Sequence, residues 1–285
     1  MNKNNKFKWK TLLIILIILG MLIFLYWQNN DIVVRKIEYT NEKIPADFKG
    51  FKLLQIADLH NKQFGKEQKN IIKLIEKEKP DAIIITGDII DANRTDSDIA
   101  LELIKGIIKI APIYYVTGNH ESEAREYREL AAEMTKLGVV VMGNNIEKII
   151  RNESSIYICG IDDLGFIDRN IGLKNMKNEF KDRLTLLGIE NKENFQILLS
   201  HRPEFFGYYQ EAGFDLIFSG HAHGGQIRIP LIGGLLAPGQ GVFPSYTTGP
   251  YYQEQAALIV SRGLGNSKFP FRIFNRPELV TLEFN

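Results

Sequence analysis

The stretch that decides the fold lies between residues 53 and 88, where LLQIADLH (53–60) and AIIITGD (82–88) stand on either side of a helical pattern. Both quoted segments begin with a short apolar run, the pattern of a buried strand, and end in polar residues. The residues from Gln68 to Glu78 are amphipathic and predict a helix. Strand, helix and strand in this order predict a βαβ unit of a layered α/β fold.

The same alternation continues towards the C-terminus. Strands are predicted at Leu53 to Ile56, Ala82 to Ile85 and Ile113 to Val116, with helices after them at Gln68 to Glu78, Asp98 to Ile110 and Ser122 to Leu137. The later half predicts strands with few long helices between them, at Ile156 to Cys159, Gln196 to Leu199, Leu216 to Ser219, Ala256 to Ser261 and Leu279 to Phe284. The Gly- and Pro-rich segment from Ile229 to Tyr252 predicts a structured loop. We expect one α/β domain with two sheets in a sandwich.

Composition narrows the class of protein. Lys and Arg number 35 against 34 Asp and Glu, so the chain lacks the basic excess of a nucleic-acid binder, and we expect no nucleic-acid partner. A hydrophobic share of 45% is enough for a packed core. The single cysteine, Cys159, excludes an internal disulfide and a CxxC zinc or redox motif.

The N-terminal run TLLIILIILGMLIFLYW (11–27) has no charged residue and follows lysines at positions 3, 6, 8 and 10. Its length of roughly 17 residues is at the short end for a transmembrane helix, and Tyr26 and Trp27 suit the membrane interface. A cleaved signal peptide is disfavoured because no small-residue cleavage pattern follows Trp27. A buried core helix is disfavoured because the run lacks a polar face. The run therefore predicts an uncleaved anchor.

The anchor divides the chain into four parts. Residues 1–10 form a basic tail that the lysines predict to be cytoplasmic, and residues 11–27 form a single-pass anchor. Residues 28–45 are polar and mixed and predict a stalk, with an early strand from Ile32 to Tyr39. Residues 46–285 form the folded domain, which this orientation places on the extracytoplasmic face of the cell membrane.

All five histidines lie in short segments rich in metal-ligand residue types. These segments are Asp58-Leu59-His60, Gly118-Asn119-His120-Glu121, Ser200-His201-Arg202-Pro203 and Gly220-His221-Ala222-His223, and Thr86-Gly87-Asp88 adds a carboxylate. Borderline divalent metals bind imidazole and carboxylate. The first of these segments follow predicted strands, whose carboxyl ends are where sites assemble in α/β sheets. The pattern predicts a metal centre.

The single segments differ in specificity. An Asp-x-His pair alone more often forms a local hydrogen bond, and the Asn119 segment also fits an N-cap before a helix. His221 and His223, flanked by glycines, add nothing to a core, which favours metal binding. In an extended segment, Asp58 and His60 would face the same side. Glycines before the ligands, at Gly87, Gly118 and Gly220, would let the backbone approach the metals closely.

In the order DxH, GD, GNH, SH and GHxH, these segments resemble the calcineurin-like metallophosphoesterase superfamily from about Phe51 to the C-terminus. The segments HGGQ (223–226), APGQG (237–241) and SRGLGN (261–266) resemble its membrane-associated bacterial branch, which includes phosphodiesterases and enzymes similar to UDP-2,3-diacylglucosamine pyrophosphatase. The resemblance implies a four-layer α/β/β/α sandwich of two mixed sheets.

The resemblance also implies two divalent metal ions. One would be held by Asp58, His60, Asp88 and His223, and the other by Asp88, Asn119, His201 and His221, so that Asp88 bridges them. A metal-bridging hydroxide would be the nucleophile. His120 would lie over the substrate, where an imidazolium stabilises charge or protonates the leaving oxygen. Manganese is the first expectation, and the donor set also suits Fe, Zn, Co and Ni.

The expected function is hydrolysis of a phosphodiester or a pyrophosphate-linked substrate, and the membrane anchor suits a lipid-linked one. A phosphomonoesterase or protein phosphatase is the alternative enzyme. A metal-dependent receptor for a phosphorylated ligand, without turnover, is the alternative in a different class. Candidate substrate contacts are Arg202, Gln226, Arg262, Phe243 and Tyr246.

The predicted orientation has a direct test. Protease added to intact cells should digest the domain, because the lysine-rich tail stays inside and the remainder faces outward. Immunoblotting against the C-terminus before and after cell lysis measures this. Full protection of the domain in intact cells, with digestion after lysis, would contradict the orientation.

Overall fold

The computed structural model describes residues 3–189, 193–266 and 269–285 of the 285-residue chain. The helices are α1 (Lys3–Asn30), α2 (Lys69–Glu78), α3 (Ser97–Ile107), α4 (Asn119–Glu123), α5 (Tyr127–Lys136), α6 (Leu173–Ile189) and α7 (Phe206–Glu211). The longer strands are β1 (Val33–Tyr39), β2 (Lys52–Ile56), β3 (Ala82–Thr86), β4 (Ile113–Val116), β6 (Asn145–Arg151), β7 (Ser154–Gly160), β8 (Gln196–Leu199), β9 (Leu216–Ser219), β14 (Gly249–Gln253), β15 (Ala256–Val260) and β16 (Glu278–Phe284). Two-residue strands are β5 (Val140–Val141), β10 (Arg228–Ile229), β11 (Gly233–Gly234), β12 (Leu236–Ala237) and β13 (Gly241–Val242).

The long strands form two mixed six-stranded sheets. The first has the order β1-β16-β2-β3-β4-β5, in which β16 is antiparallel to β2 and the other neighbours are parallel. The second has the order β14-β15-β9-β8-β7-β6, in which the outer pairs are antiparallel and the inner pairs parallel. In both sheets the inner parallel strands carry their carboxyl ends to one edge.

Alternation of side chains along each strand builds four layers. In β3, Ile84 packs between the two sheets, whereas Ile83 and Ile85 face the helices α2, α3 and α5. In β9, Leu216 and Phe218 pack between the sheets, and Ile217 faces α6 and α7. Since strand side chains alternate with a period of two, each sheet buries both faces. The expected α/β/β/α sandwich is confirmed.

The segment that follows the N-terminal helix is part of the folded domain. Strand β1, expected near Ile32 to Tyr39, is an edge strand of the first sheet, paired with β16 from Val33↔Glu278 to Tyr39↔Phe284. The residues assigned to a stalk, 28–45, therefore contain a strand of the sandwich. The strand joins the sheet because pairing with β16 along its whole length satisfies the backbone groups on one of its two sides.

Helix α1 contains the predicted anchor. Residues Trp9–Asn30 are long and apolar enough to cross a membrane by length and composition, and most of this span is exposed. Its last turn differs, since Gln28 and Asn29 are buried against the domain. The apolar part therefore leaves the domain as a projecting helix whose end is fixed.

Three expected elements differ in detail. The helix expected from Ser122 to Leu137 is broken into α4 and α5 at Ala124, whose backbone is extended. In α4 the Glu121 side chain is held at the strand ends by hydrogen bonds, whereas α5 packs Leu130 and Met134 into the core. The two helices are therefore held by different parts of the fold, and the chain breaks between them. The later half contains the 17-residue helix α6, which its weak apolar periodicity concealed. The loop expected at Ile229 to Tyr252 includes short strands and part of β14.

Candidate metal centre

The candidate ligands meet where the carboxyl ends of both sheets lie side by side. Asp58 and His60 follow β2, Asp88 follows β3, and Asn119 follows β4; His201 follows β8, and His221 and His223 follow β9. The two sheets are linked just below this edge by buried Gln55, whose amide donates to Thr86 Oγ1 and to the Ser219 carbonyl, each at 2.9 Å. Strand ends that are distant in sequence thus form one site.

The side chains form two groups that share one carboxylate. Asp58, His60, Asp88 and His223 place one candidate ligand atom each within 4.8 Å of one another, and so do Asp88, His201 and His221. Asp88 Oδ2 lies 3.5 Å from His60 Nε2 and 3.2 Å from His201 Nε2, between the two groups. Its other oxygen, Oδ1, accepts a hydrogen bond from the His120 backbone N–H at 2.9 Å. Asp88 therefore occupies the position that a bridging carboxylate requires.

The donor atoms fit divalent cations. His60 Nε2 lies 3.1 Å from His223 Nε2, and His221 Nδ1 lies 3.0 Å from His201 Nε2. When two nitrogens bind the same cation, each at about 2.0–2.1 Å, the nitrogens lie about 3 Å from each other. The Oδ1 of Asn119 is buried and has no hydrogen-bond partner among the described residues, so it is available as a further oxygen ligand.

The orientation of His201 is fixed from behind the site. Its Nδ1 lies 2.8 Å from the Thr86 carbonyl oxygen. A carbonyl can only accept, so Nδ1 carries the proton and Nε2 faces Asp88. Hydrogen bonds of this kind set the tautomer and ring orientation of metal-binding histidines.

The ligand loops have a left-handed backbone. The φ angles are 51° at Asp58, 46° at His60, 52° at Asp88, 65° at His221 and 47° at His223. Asp58 and His60 do face the same site while Leu59 is buried in the core, but the extended geometry expected for this segment is wrong. Left-handed residues turn the chain sharply after β2, β3 and β9, and such strained conformations cluster at functional sites.

Two glycines allow the loops to approach this closely. A Cβ on Gly118 would lie 2.2 Å from Asp88 Oδ1, and one on Gly220 would lie 2.6 Å from Asp58 Oδ2. Both contacts are shorter than any side chain tolerates. At Gly118 and Gly220 the backbone therefore lies directly against the carboxylates of Asp88 and Asp58, and its expected close approach to the metals stays a prediction.

Burial and mutual charge set the protonation of the site. Burial raises the pKa of Asp58 to about 7 and lowers the pKa of His60 to about 4. Burial also lowers the pKa of His221 and His223, which keeps these rings neutral. For His201, burial lowers the pKa, but the charge of Asp88 outweighs it and raises the pKa to about 10. Most of the rings thus present lone pairs at neutral pH.

His120 lies beside these two groups and outside both of them, but with His60 and Asp91 it forms a third group whose candidate ligand atoms lie within 4.8 Å of one another. Its Nδ1 accepts a hydrogen bond from the Ala92 backbone N–H at 3.1 Å, so a neutral ring carries its proton on Nε2. The Oδ1 of Asp91 lies 3.8 Å from the same Nδ1. His120 also lines the cavity above the site, where a substrate would lie.

Two acidic residues received no role from the sequence. Asp91 stands beside His120 as described. Buried Glu121 accepts hydrogen bonds from the backbone N–H groups of Asp88 at 2.8 Å, Ile89 at 2.8 Å and Gly118 at 2.6 Å. Glu121 therefore fixes the turns that carry Asp88 and Asn119. Its place next to His120 in the GNHE segment was the signal that could have indicated this.

The cavity over the site has about 440 Å³. Its polar floor includes Asp88, Asn119, His120, His221 and His223, and its walls include Gln226, Leu236, Ala237, Pro238 and Phe269. A polar floor beneath apolar walls suits a ligand with one charged end.

Of the candidate substrate contacts, only Gln226 lies among the residues that line this cavity. Arg202 forms a two-point ion pair with Asp163, at 2.6 and 3.0 Å, and Arg262 pairs with Glu278 at 3.2 Å. Tyr246 packs against Phe206 and Tyr251, and Phe243 is exposed. The sequence could not show that both guanidinium groups are held by acids from distant segments.

Fold and site together define a two-sheet α/β protein with adjoining groups of candidate metal ligands. Residues 51–225 match the protein-family model for calcineurin-like phosphoesterase, and the chain belongs to this family of metallophosphoesterases. The resemblance carried by the motifs is confirmed.

Three relatives show the range of the similarity. An uncharacterised metallophosphoesterase of Bacillus subtilis is 31% identical over 242 residues, covering 83% of this chain and 80% of its own length. The Escherichia coli phosphodiesterase YaeI is 27% identical, covering 82% of each chain. A Danio rerio transmembrane protein with a metallophosphoesterase domain is 25% identical, covering 86% of this chain and 56% of its own length.

Metal binding should release protons. The pKa values are about 10 for His201 and about 7 for Asp58. At pH 7 and without metal, His201 is therefore protonated and Asp58 is protonated in about half of the molecules. Both groups must lose their protons to bind a cation, so affinity should rise about tenfold per pH unit below pH 10 and more steeply below pH 7. Titration calorimetry with Zn²⁺ in two buffers of different ionisation enthalpy measures the release. An affinity independent of pH between 6 and 8 would contradict the assignment.

Proposed function

We propose that this protein is a dimetal phosphoester hydrolase that acts on a phosphodiester or a pyrophosphate-linked substrate. The observation that carries the proposal is Asp88, whose one oxygen lies between two groups of ligands directly below a cavity lined by His120. A purely structural cluster would not need two ligand sets that share a carboxylate. The phosphodiesterase named among the relatives supports the diester.

Each ligand has a place in this proposal. Asp58, His60, Asp88 and His223 would hold one cation, and Asp88, Asn119, His201 and His221 would hold the other. When bound, two such cations supply an activated water and neutralise charge on the phosphoryl oxygens. Glu121 keeps the turn of Asp88 in register with that of Asn119, so the two sites stay at a fixed separation.

His120 acts on the substrate. The N–H of Ala92 occupies its Nδ1, which directs Nε2–H towards a substrate oxygen in the cavity. That hydrogen bond stabilises negative charge on the phosphoryl group or on the leaving oxygen. Full proton transfer would need a second proton on Nδ1, and this proton could be added only if the hydrogen bond from the Ala92 N–H were lost.

The apolar N-terminal helix supports a location in the cell membrane, with the domain on the extracytoplasmic face as the lysines predict. The helix and the apolar cavity walls support a lipid-linked substrate. Manganese is the cation that we propose, and the mixed nitrogen and oxygen donors also suit Fe, Zn, Co and Ni.

Purified full-length protein in detergent should hydrolyse bis-p-nitrophenyl phosphate. Chelation should abolish the activity and Mn²⁺ should restore it, because the substrate-binding charges come from the cations. The rate on p-nitrophenyl phosphate should be lower. A faster monoester rate would favour a monoesterase, and metal binding without hydrolysis of either compound would favour a receptor.

Two substitutions should separate substrate chemistry from metal binding. His120→Asn should lower kcat by about 10²–10⁴-fold with metal content unchanged, because the ring acts on substrate. Asp88→Asn should lower metal content at both positions, because an amide replaces the shared anion. Elemental analysis and diester kinetics measure both, and Glu129→Gln, an exposed change on α5, is the control. Loss of metal in the His120 variant would refute its role.

A further inference from the structure

Exposed apolar side chains are concentrated on the segments that line the cavity and on segments hydrogen-bonded to them. We call this surface the apolar rim; it consists of Leu231, Ile232, Leu236, Val242, Phe243, Phe269, Phe271 and Phe274. Leu231 is fully exposed, and Ile232, Val242 and Phe243 are each about 60% exposed. Large apolar side chains gathered around one opening mark an interaction surface, whereas single ones are ordinary.

Backbone hydrogen bonds join the segments that carry the rim. The Arg228 N–H donates to the Ile273 carbonyl at 3.0 Å, which ties the hairpin of Leu231 to the segment of Phe274. The Leu235 N–H donates to the Ile227 carbonyl at 2.8 Å, and the Phe243 N–H donates to the Leu235 carbonyl at 2.9 Å. The rim is therefore one connected surface with a fixed arrangement.

The rim is joined to the end of α1. The rings of Phe24 and Phe274 pack edge to face with centroids 5.6 Å apart, and Arg276 lies 4.9 Å from the ring of Trp27. Gln28 Oε1 accepts from the Asn275 N–H at 3.1 Å. Asn29 Oδ1 also accepts from a backbone N–H of this segment, at Arg272. The depth of the helix in a membrane thus fixes the depth of the rim.

The position of Phe274 along the helix indicates that depth. Phe24 lies three residues before Trp27, about 4.5 Å along the axis at 1.5 Å per residue. If residues 11–27 lie in the hydrocarbon, the contact of Phe274 with Phe24 places the rim at the boundary between acyl chains and headgroups. Apolar side chains are favourable there.

We propose that the apolar rim lies in the interfacial layer of the membrane that α1 enters. The cavity then opens at the lipid–water boundary, with Leu236 and Phe269 shared between its walls and the rim. A substrate with a phosphoester head and an acyl chain keeps its chain along the rim while its head reaches the polar floor. The inference rests on the membrane span of the proposed function and not on its catalytic part.

A fluorescent label tests the docking directly. Cys159 is buried, so an NBD group can be attached selectively to Leu231→Cys, with Ile150→Cys, exposed on β6 in the other sheet, as the matched control. The full chain is reconstituted into vesicles of phosphatidylcholine and phosphatidylglycerol. We expect a blue-shifted emission and quenching by brominated acyl chains at position 231 only. Equal spectra and equal quenching at positions 231 and 150 would overturn the proposal.

A pair of chromogenic diesters tests the consequence for substrate access. The double variant Leu231→Ser/Ile232→Ser should hydrolyse hexadecyl p-nitrophenyl phosphate in vesicles about tenfold more slowly than the wild type, the factor that about 1.4 kcal/mol of lost contact gives. Its rate on ethyl p-nitrophenyl phosphate in solution should be unchanged, and Ile150→Ser should change neither rate. An equal loss with both diesters, or none with either, would overturn delivery from the membrane. If the wild type cleaves neither diester, the proposed function fails, and the label alone decides the docking.

Discussion

The structure depends on one constraint, which is that two carboxylates must be buried at the edge where the two sheets meet. Asp58 and Asp88 are inaccessible to solvent, and burial of a charge is unfavourable unless partners surround it. The partners are the backbone N–H groups of His120 and His221, the imidazole of His201 and, in the proposed function, cations. Against the effect of burial, the charge of His201 holds the pKa of Asp88 well below its usual range. A permanent anion thus lies between the two ligand groups, which suits it to bind metal rather than to transfer protons.

The turns follow from that constraint. The chain turns abruptly after β2, β3 and β9, where the candidate ligands have a left-handed backbone that costs about 1–3 kcal/mol at each residue. The surrounding packing holds them in place. Glu121 accepts the N–H groups of the Asp88 turn, and the loop at Gly265 donates to the Asp58 carbonyl at 2.6 Å. Left-handed residues also occur away from the site, for example at Glu67, Lys79 and Asn144, so this conformation is not confined to the candidate ligands.

The end of the N-terminal helix and the candidate site belong to one hydrogen-bonded unit. Buried Arg272 donates to the carbonyls of Arg262 and Gly265, while Asn275 donates to the His223 carbonyl at 2.7 Å. Backbone N–H groups of the same segment donate to the side chains of Gln28 and Asn29 at the end of α1. A ligand of the proposed metal centre is thus two hydrogen bonds from the helix, so the end of the helix and the cavity keep a fixed relative position.

The sequence by itself determined the βαβ pattern, the positions of most strands, the family and the set of ligand-type residues. Buried strands and histidine-rich turns can be recognised in this way because each depends on residues that are close together in the chain. It could not determine that β1 joins the sheet, that Arg202 is held by Asp163, or that Glu121 fixes the Asp88 turn. Those facts arise from segments far apart in the chain and from the need to pair charges removed from water. Tertiary structure alone also decided the left-handed backbone at Asp58 and His60, because their N–H groups donate to the carbonyls of Gly87 and Asp88 in a distant segment. The arrangement of two ligand groups around one oxygen of Asp88 exists only once both sheets have packed together.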